Sequence, residues 1–495
     1  MKLHFNRNWN KSIVLISVSL FFFIFLNCKG KDTPDDPIIN PPLPDIGKAK
    51  VWLTRGDKLK LFSQESDLSV RTTVPEEWPV ITVDTTISFQ TVDGYGAALT
   101  GSSAYLLNRK LDAQERDVIL NKLFNQETGI GISFLRLTMG ASDFSLSDFT
   151  YNDLQTGQTD FALDNFSLDQ DLLDVVPVLK EIVNISPDIF LMGSPWSPPA
   201  WMKTNNSLKG GKLRTDSYEV YADYFVKYIR EMKSQGINIT HVTPQNEPLY
   251  FTAAYPCMEM QSGDQMDFIK NHLGPKIEAA TDIAVKIINY DHNWDNTQYS
   301  ISLLNDTEAN TYTAGSAFHA YAGSVSAMST VHNAHPDKEL HFTEISGGAW
   351  AVNFEDNLMW YMRNIFIGTA NNWSRSALMW NLALDENFGP RNNGCSDCRG
   401  VITINQSTGL ITLNEEYYAI GHFSKVVRPG AERISLLYAQ SLTNIEAVAF
   451  MNTDGSKALV VTNYDSAFKT FTVKQGKKVF SYSIPAKSVV SIKWD

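Results

Sequence analysis

Residues 239–248 read ITHVTPQNEP, and residues 340–346 read LHFTEIS. Each stretch is short and rich in β-branched and aromatic side chains, as buried strands are. Each also carries a glutamate close to its end, Glu247 in the first stretch and Glu344 in the second. Because parallel strands end at the same edge of a sheet, the two stretches predict a parallel sheet with two carboxyl groups at one edge.

Six further strand-like stretches lie before, between and after these two, separated by longer segments with helical periodicity. In residues 217–234, for example, Tyr218, Tyr221, Phe225 and Ile229 recur at helical spacing. Eight such alternations predict an α/β fold, a (β/α)8 TIM barrel. The predicted strands are residues 94–98, 132–139, 189–196, 239–247, 285–292, 316–321, 340–346 and 377–384, and other predicted helices include residues 169–185 and 354–370.

The two ends of the chain have a different pattern. Residues 447–462 and 470–494 are rich in Val, Phe, Thr and Ser with turn residues between them, which predicts antiparallel strands, and residues 50–62 and 81–90 look similar. We therefore expect one side β-sandwich built from both chain ends. The predicted segments are a signal peptide (1–28), a Pro-rich linker (29–49), N-terminal sandwich strands (50–92), the catalytic barrel (93–428) and the C-terminal part of the sandwich (429–495).

The N-terminus is predicted to be a targeting segment. Three basic residues within the first eleven precede an almost entirely apolar run at 13–26, and Cys28 follows two residues after that run. This pattern resembles a bacterial lipoprotein cleavage site with Cys28 as the lipidated residue. Asn27 is larger than the usual residue before that cysteine, and an ordinary signal peptide cut elsewhere is the alternative. We expect an exported lipoprotein at the outer membrane or cell surface, in contact with the membrane through the lipid anchor only.

Composition narrows the classes of partner. The chain is 43% hydrophobic over 495 residues, enough for a substantial core. A net charge of −12 argues against nucleic acid as a partner. Neither a Gly-rich phosphate loop nor a clustered Cys/His set is evident in the sequence, so no metal and no cofactor are expected.

The cysteines after residue 28 favour one small disulfide. Cys395 and Cys398 form a C-x-x-C pair, which in an exported protein predicts a disulfide that closes a loop. A redox motif would need a thioredoxin-like context and a zinc site a second ligand pair, and neither is evident. Cys257 is left over and is predicted to be unpaired.

Polar and aromatic side chains gather at the predicted strand ends, where a barrel of this kind has its active site. Glycoside hydrolysis needs two carboxyl groups on either side of the bond, one protonated and one ionised. Glu247 and Glu344 end the fourth and seventh predicted strands, and we expect a carboxyl separation of about 5–5.5 Å, the retaining geometry. The other residues at strand ends are Arg136, Trp196, Asn246, His292, His319, Tyr321, Trp380 and Asn381.

Five motifs carry a family resemblance. The segments TPQNEP (243–248) and HFTE (341–344) resemble the acid/base and nucleophile segments of glycoside hydrolase clan A. The segments QTVDGYGAALT (90–100), GSPWSPPAWMKTN (193–205) and WNLALDENFGP (380–390) narrow the resemblance to glycoside hydrolase family 30, the glucosylceramidases and endo-β-1,6-glucanases. The resemblance covers roughly residues 51–495 and implies a glycosidase.

The resemblance implies a role for each matching residue. Glu247 would be the acid/base, with a raised pKa, and Glu344 the ionised nucleophile. Arg136 would lie beside that nucleophile, unless it makes a structural ion pair under the barrel. Asn246 would bond the sugar 2-hydroxyl, and Tyr321 would touch the nucleophile through its hydroxyl.

Five more residues would contact the sugar. His319 lies on the strand of Tyr321, and a satisfied buried histidine is the alternative for it. Asp143 resembles the aspartate that binds glucose hydroxyls. Trp196 and Trp380 resemble the aromatic walls of the first glucose subsite, with ordinary core packing as the alternative. Asn381 follows Trp380 at the end of the eighth predicted strand.

One departure bears on the substrate. The glucosylceramidase pattern on the sixth strand is His-Trp-Tyr, whereas this chain has His319-Ala320-Tyr321. This departure brings the chain closer to the microbial β-1,6-glucanase branch. The expected function is therefore retaining hydrolysis of β-1,6-glucan, with an exo-β-glucosidase or a glucosylceramidase-like hydrolase of β-glucosides as the alternative. A non-catalytic glycan-binding lipoprotein would lack one glutamate or the aromatic wall.

Overall fold

The structure is a computed structural model that describes residues 44–74 and 78–495. The predicted signal peptide, Cys28 and most of the predicted linker lie outside the described residues. None of the helices found in the described ranges combines the length and the apolar character that a bilayer crossing needs.

Eight parallel strands close into a barrel, which confirms the predicted fold class. Each strand pairs with the next one along the chain, and the eighth pairs with the first. The carboxyl ends of all eight strands therefore meet at one mouth. The strands are Gly94–Leu99, Phe134–Met139, Phe190–Pro195, His241–Val242, Lys286–Asn293, Thr313–His319, Glu339–Glu344 and Ser374–Met379.

The fourth and eighth barrel strands each end five residues earlier than the sequence predicted. The fourth strand contains only His241–Val242, because Pro244 has no N–H for a ladder and the chain turns until Glu247 reaches φ 44°. The eighth strand stops at Met379, two residues before Asn381 at φ 62°. Both turns lie at the mouth, where the backbone leaves the ladder and places side chains over the barrel.

Helices surround the barrel. The predicted helix 217–234 is found as Tyr218–Ser234, and the predicted helix 354–370 is one continuous helical segment with a π turn in its middle. The predicted helix 169–185 begins only at Val175, after a short 3-10 turn. The other α-helices are Gly101–Arg109, Ala113–Phe124, Ser262–Phe268, Gly274–Ala279, Thr297–Leu304, Thr307–Tyr312, Ser326–Ala334 and Glu415–Ser424.

A ten-stranded sheet with its own apolar core forms the side β-sandwich. Its strand Gly47–Arg55 pairs antiparallel with the last strand, Ser488–Trp494. The domain is therefore built from both chain ends, as predicted. Its other strands are Ser63–Gln64, Leu68–Val70, Val80–Thr91, Glu432–Tyr438, Ile445–Met451, Lys457–Asn463, Lys469–Gln475 and Lys478–Ile484.

The barrel interior is layered. Phe134, Met192, Ile288, Ala317 and Leu378 form one apolar layer. Because side chains on a strand alternate, the next inward residue after Phe134 is Arg136, one layer nearer the mouth. The apolar layer thus closes the barrel beneath the polar groups of the mouth.

Short strands beyond the barrel shape the mouth. Gly347–Gly348 pairs with Cys398–Arg399, which brings the segment after the seventh strand beside the C-x-x-C loop. A small sheet after the eighth strand contains Ala383–Asp385, Ile402–Ile404 and Ile411–Leu413.

Candidate active site

A cavity of about 410 Å³ opens at the carboxyl ends of the barrel strands. Both predicted catalytic glutamates line it, together with polar groups and an aromatic wall. The lining residues are Asp143, Glu247, Tyr250, Tyr255, His292, Asn293, Tyr321, Glu344, Trp350, Trp380, Cys395 and Cys398.

Glu344 is the last residue of the seventh strand, and two donors hold its carboxylate. Arg136 donates from Nη1 to Glu344 Oε2 at 2.5 Å, and the Tyr321 hydroxyl donates to Oε1 at 3.0 Å. The Arg136 side chain is fully buried at the mouth of the barrel, so the alternative of an ion pair under the barrel is wrong. A fixed carboxylate with a guanidinium on one side can attack a carbon that approaches its other oxygen.

Glu247 lies in the turn after the short fourth strand. Its φ of 44° is in the left-handed region, which costs a non-glycine residue about 1–3 kcal/mol. Two contacts hold it there: its N–H donates to the Asp291 carbonyl at 3.0 Å, and His319 Nδ1 lies 3.1 Å from its Oε1. The backbone conformation turns the carboxyl toward Glu344.

The two glutamates converge on one point. One oxygen of Glu247, one oxygen of Glu344 and one nitrogen of His319 all lie within 4.8 Å of one another. Inverting enzymes keep their carboxyl groups about 6.5–9.5 Å apart to leave room for a water. The short separation supports the predicted retaining geometry.

Asp291 is a buried charge that the sequence analysis missed. It accepts from Arg136 Nη2 at 2.7 Å and from the hydroxyls of Thr243 and Thr343 at 2.8 Å, and His319 Nε2 lies 3.1 Å from it. The sequence did contain a signal for Asp291, because an aspartate inside a predicted buried strand needs hydrogen-bond or charge partners. Asp291 orients both the cation beside the nucleophile and the imidazole beside the acid/base.

The hydrogen bonds of His319 indicate an imidazolium. Burial opposes its charge, but the charge of Glu344 and hydrogen bonds to Asp291 and Glu247 outweigh burial and raise the pKa of His319 to about 9. Both ring nitrogens then donate, one to Asp291 and one to Glu247.

This imidazolium reverses the predicted order of the two carboxyl pKa values. Burial acts to raise the pKa of Glu247, but the hydrogen bond and charge of His319 outweigh it and lower that pKa. Burial raises the pKa of Glu344, and the charge of Glu247 raises it further. The positive charges of His319 and Arg136 act in the opposite direction but do not outweigh these effects. The prediction of a raised pKa at Glu247 is wrong for the free site, because the sequence does not place a histidine against that carboxyl.

Trp380 lines the cavity as predicted, and Trp196 lies outside the lining. The two rings stack with centroids 5.1 Å apart, and the Arg136 guanidinium lies 4.9 Å from the Trp196 ring. Trp196 thus supports both the aromatic wall and the arginine. Asn246 accepts from Arg136 Nη2 at 2.6 Å, which leaves its amide N–H groups for a ligand.

Asp143 and Asn381 were both predicted to bind substrate, and the structure places them differently. Asp143 lines the cavity, and burial together with the charges of Glu344 and Glu247 raises the pKa of Asp143. Asn381 is fully buried outside the lining, where its Oδ1 accepts from the Thr100 hydroxyl at 2.9 Å. Asn381 therefore supports the turn after the eighth strand.

The rim of the cavity holds features that the motifs did not indicate. Tyr250 and Trp350 follow the two catalytic strands and are about half exposed, at 47% and 56%. Exposed aromatic faces on a rim bind the apolar faces of sugar rings.

Cys395 and Cys398 are bonded to each other in the cavity wall, and Cys257 is free and buried.

The His319 imidazolium makes activity depend on pH in a defined direction. In the wild type, His319 holds the proton of the site up to about pH 9. In His319→Ala, only carboxyl groups can hold that proton, and they lose it at a lower pH. We expect the alkaline limb of kcat/KM to move down by at least about one pH unit. The measurement is a pH profile of kcat/KM on an aryl β-glucoside.

His292 offers a matched control. Its Nε2 lies 3.9 Å from Glu247 Oε1, too far for a hydrogen bond. His292→Ala should leave the alkaline limb in place even if KM changes. An unchanged alkaline limb in His319→Ala would contradict the assigned proton.

Comparison with known proteins places this site in a family. The TIM-barrel domain of glycosyl hydrolase family 30 matches residues 92–427, and the β-sandwich domain of that family matches residues 430–492. An endo-1,6-beta-D-glucanase of Neurospora crassa is 33% identical over 430 residues, 83% of this chain and 87% of that protein. The lysosomal acid glucosylceramidase of Mus musculus is 28% identical over 439 residues, 84% of this chain and 83% of that protein.

A solved structure agrees with these matches. The endo-beta1,6-glucanase BT3312 shares 36% of its residues with this chain at a TM-score of 0.85, and the match covers 90% of this chain and 99% of that one. The named activity of that enzyme, the two domain matches and the paired glutamates at the barrel mouth point to the same chemistry. The chain is a glycosidase and belongs to glycosyl hydrolase family 30.

Proposed function

We propose that this protein is a retaining endo-β-1,6-glucanase. The observation that carries the chemistry is the convergence of Glu247 and Glu344 within 4.8 Å beside Arg136. The substrate is supported by the Neurospora crassa enzyme and BT3312, both named as endo-1,6-β-glucanases, at 33% and 36% identity.

The reaction follows a double displacement. Glu344 attacks the anomeric carbon as the glycosidic C–O bond breaks, and Glu247 gives its proton to the departing oxygen. Glu247 then takes a proton from water, whose oxygen attacks the same carbon and releases Glu344. Two inversions return the sugar in its original β configuration.

His319 supplies the proton that Glu247 needs. In the free site the pair is imidazolium and carboxylate, 3.1 Å apart. A sugar that fills the cavity removes water, and a drier site favours the neutral pair of imidazole and carboxylic acid. The proton thus moves to Glu247 when a leaving group is present to receive it. Arg136 stays on Glu344 and keeps the nucleophile ionised.

The exposed rim favours a polymer over a single glucose unit. Tyr250 and Trp350 offer half-exposed rings outside the subsite formed by Trp380. A sugar on either ring would extend beyond the two glutamates, as an internal cut requires. The likeness to the mouse lysosomal glucosylceramidase supports a second candidate, hydrolysis of a β-glucoside with an apolar leaving group.

Incubation with linear β-1,6-glucan tests this proposal. We expect β-1,6-linked oligosaccharides of several lengths early in the reaction, because an endo enzyme cuts inside the chain. Chromatography of products against time provides the measurement, and linear β-1,3-glucan serves as the matched control substrate.

The products separate the two candidates. Glucose alone from the first minutes would contradict endo action, and no release from β-1,6-glucan with turnover of glucosylceramide would favour the second candidate. Turnover of an aryl β-glucoside checks the glycosidase chemistry independently of the polymer.

The lipid anchor at Cys28 stays a prediction. The sequence pattern around this cysteine supports a proposal that the enzyme is displayed on a membrane surface, with the Pro-rich segment after it as a spacer. A polymeric glucan outside the cell would be an accessible substrate for an enzyme held in this way.

A further inference from the structure

A second cluster of titratable side chains lies at the opposite end of the barrel. Asp93 precedes the first strand, His241 begins the fourth, and Glu339 and His341 lie at the start of the seventh. One donor atom from each of the four lies within 4.8 Å of the others. Glu339 and Glu344 are the two ends of one strand, so about 16 Å separates this cluster from the active site.

The hydrogen bonds of His241 determine its tautomer. The Thr240 hydroxyl donates to the Leu191 carbonyl at 2.9 Å, so its oxygen is free to accept from His241 Nδ1, also at 2.9 Å. With the ring proton on Nδ1, the neutral imidazole directs the lone pair of Nε2 into the cluster.

His341 is arranged in the same way. The Ser376 hydroxyl points to the Phe342 carbonyl at 3.5 Å, and the Ser376 Oγ lies 3.2 Å from His341 Nδ1. His341 Nε2 therefore also faces the cluster. A hydrogen-bonded Nδ1 and an inward Nε2 are the usual arrangement of a histidine that binds a metal.

The inward atoms have no hydrogen-bond partner although they are buried. His241 Nε2 lies 3.8 Å from Asp93 Oδ2, and His341 Nε2 lies 4.0 Å from that oxygen and 3.6 Å from Glu339 Oε2. Within the described residues, both Nε2 atoms and Glu339 Oε2 are buried without a partner. These distances are too long for hydrogen bonds. The lone pairs of the two Nε2 atoms face the carboxylate oxygens and repel them unless a cation lies between.

Two cations orient the carboxylates from outside. Arg375 donates from Nη2 to Asp93 Oδ1 at 2.7 Å and lies 3.1 Å from Glu339 Oε1, which Lys286 also contacts at 2.7 Å. Arg375 Nε donates to Asp93 Oδ2 at 3.1 Å, which leaves that oxygen a second lone pair. Each carboxylate thus keeps one oxygen directed at the histidines.

We propose that His241 Nε2, His341 Nε2, Asp93 Oδ2 and Glu339 Oε2 form a closed, four-coordinate site for a divalent transition-metal ion, with Zn²⁺ the best fit. Two imidazoles and two carboxylates suit zinc, and four protein donors leave no open position for a reactant. Donors around a tetrahedral zinc lie about 3.3–3.5 Å apart. The four donor atoms now lie within 4.8 Å of one another, so an inward shift of less than about 1 Å completes the site.

Such a site would be structural. It links the segment before the first strand to the fourth and seventh strands. Glu247 lies in the turn after the fourth strand, and Glu344 ends the seventh. The sequence did not indicate it, because its donors come from separate segments of the chain. The side chain of Glu339 is 17% exposed and offers a route for the ion from solvent.

Metal binding by the purified protein tests the proposal. The chelator-treated protein is titrated with ZnCl₂ by calorimetry, and we expect one equivalent to bind and the unfolding midpoint to rise by several degrees. Co²⁺ in its place should give the strong visible absorption of a tetrahedral ion. X-ray absorption of the zinc-loaded wild type should show two imidazole nitrogens and two oxygens with no sulfur.

Variants assign the ion to this cluster. His241→Gln and His341→Gln should each raise the Kd for Zn²⁺ at least about 100-fold. His272→Gln is the matched control, because His272 also faces a carboxylate, Glu219 at 3.1 Å, outside the cluster. Zn²⁺ held between the catalytic glutamates would instead be lost in Glu344→Gln.

Three results would overturn the proposal. These are less than one equivalent of Zn²⁺ bound by the wild type, unchanged affinity in both His→Gln variants, or absorption data without imidazole ligands. The last measurement uses the wild type and decides the matter even where a variant fails to fold. Any of them would leave the cluster as a metal-free group of imidazole rings and carboxylates.

Discussion

Glu344→Gln is expected to lower kcat by at least about 10⁴-fold, equal to about 5 kcal/mol of transition-state stabilisation. An amide accepts a hydrogen bond but cannot form the glycosyl ester, so the first displacement does not occur. The amide also leaves Arg136 without its anion on this side, although Asp291 still pairs with the guanidinium. The measurement is kcat and KM on an aryl β-glucoside and on β-1,6-glucan.

Glu416 provides a matched control for this change. It is a second buried glutamate held by one arginine and one tyrosine, since Arg399 and Tyr361 donate to it at 2.9 and 2.8 Å. Glu416→Gln should lower the free energy of unfolding and leave kcat of the folded protein within a few-fold. Residual turnover in Glu344→Gln comparable to that of Glu416→Gln would remove Glu344 from the reaction.

Glu247→Ala is expected to have an effect that depends on the leaving group. With β-1,6-glucan the departing oxygen needs its proton, and we expect kcat to fall by about 10²–10⁴-fold. With an activated aryl glucoside the leaving group departs unprotonated, so the glycosyl enzyme forms and then accumulates because no base activates water. A burst of phenol followed by slow turnover is the expected time course.

Azide sharpens this test. A small anionic nucleophile needs no base and fits the space left by the missing carboxyl group. We expect azide to restore turnover of the aryl glucoside in Glu247→Ala and to give the β-glucosyl azide, which NMR identifies by its anomeric configuration. An α-azide product would contradict the retaining mechanism. Glu259→Ala, at a partly exposed position on the same long loop, should show neither burst nor rescue.

Several features were determined by the sequence itself. Alternating strand and helix patterns predicted the barrel, and β patterns at both chain ends predicted the sandwich, because periodicity records which face of each element is buried. The motif around Glu247, the motif around Glu344 and the arginine on the second strand were placed at one mouth because all parallel strands end there. Family membership follows from the same motifs.

Other features were decided by the tertiary structure. Asp291 joins Arg136 to His319 across three strands, and the hydrogen bond and charge of His319 lower the pKa of Glu247 where the sequence predicted an increase. Trp196 and Asn381 occupy motif positions but do not line the cavity. A motif records which residue is present, whereas a pKa or a binding contact depends on which charges and donors lie within a few ångströms. Residues from distant segments of the chain come within a few ångströms of one another only when the barrel closes, both at the mouth and at the opposite end.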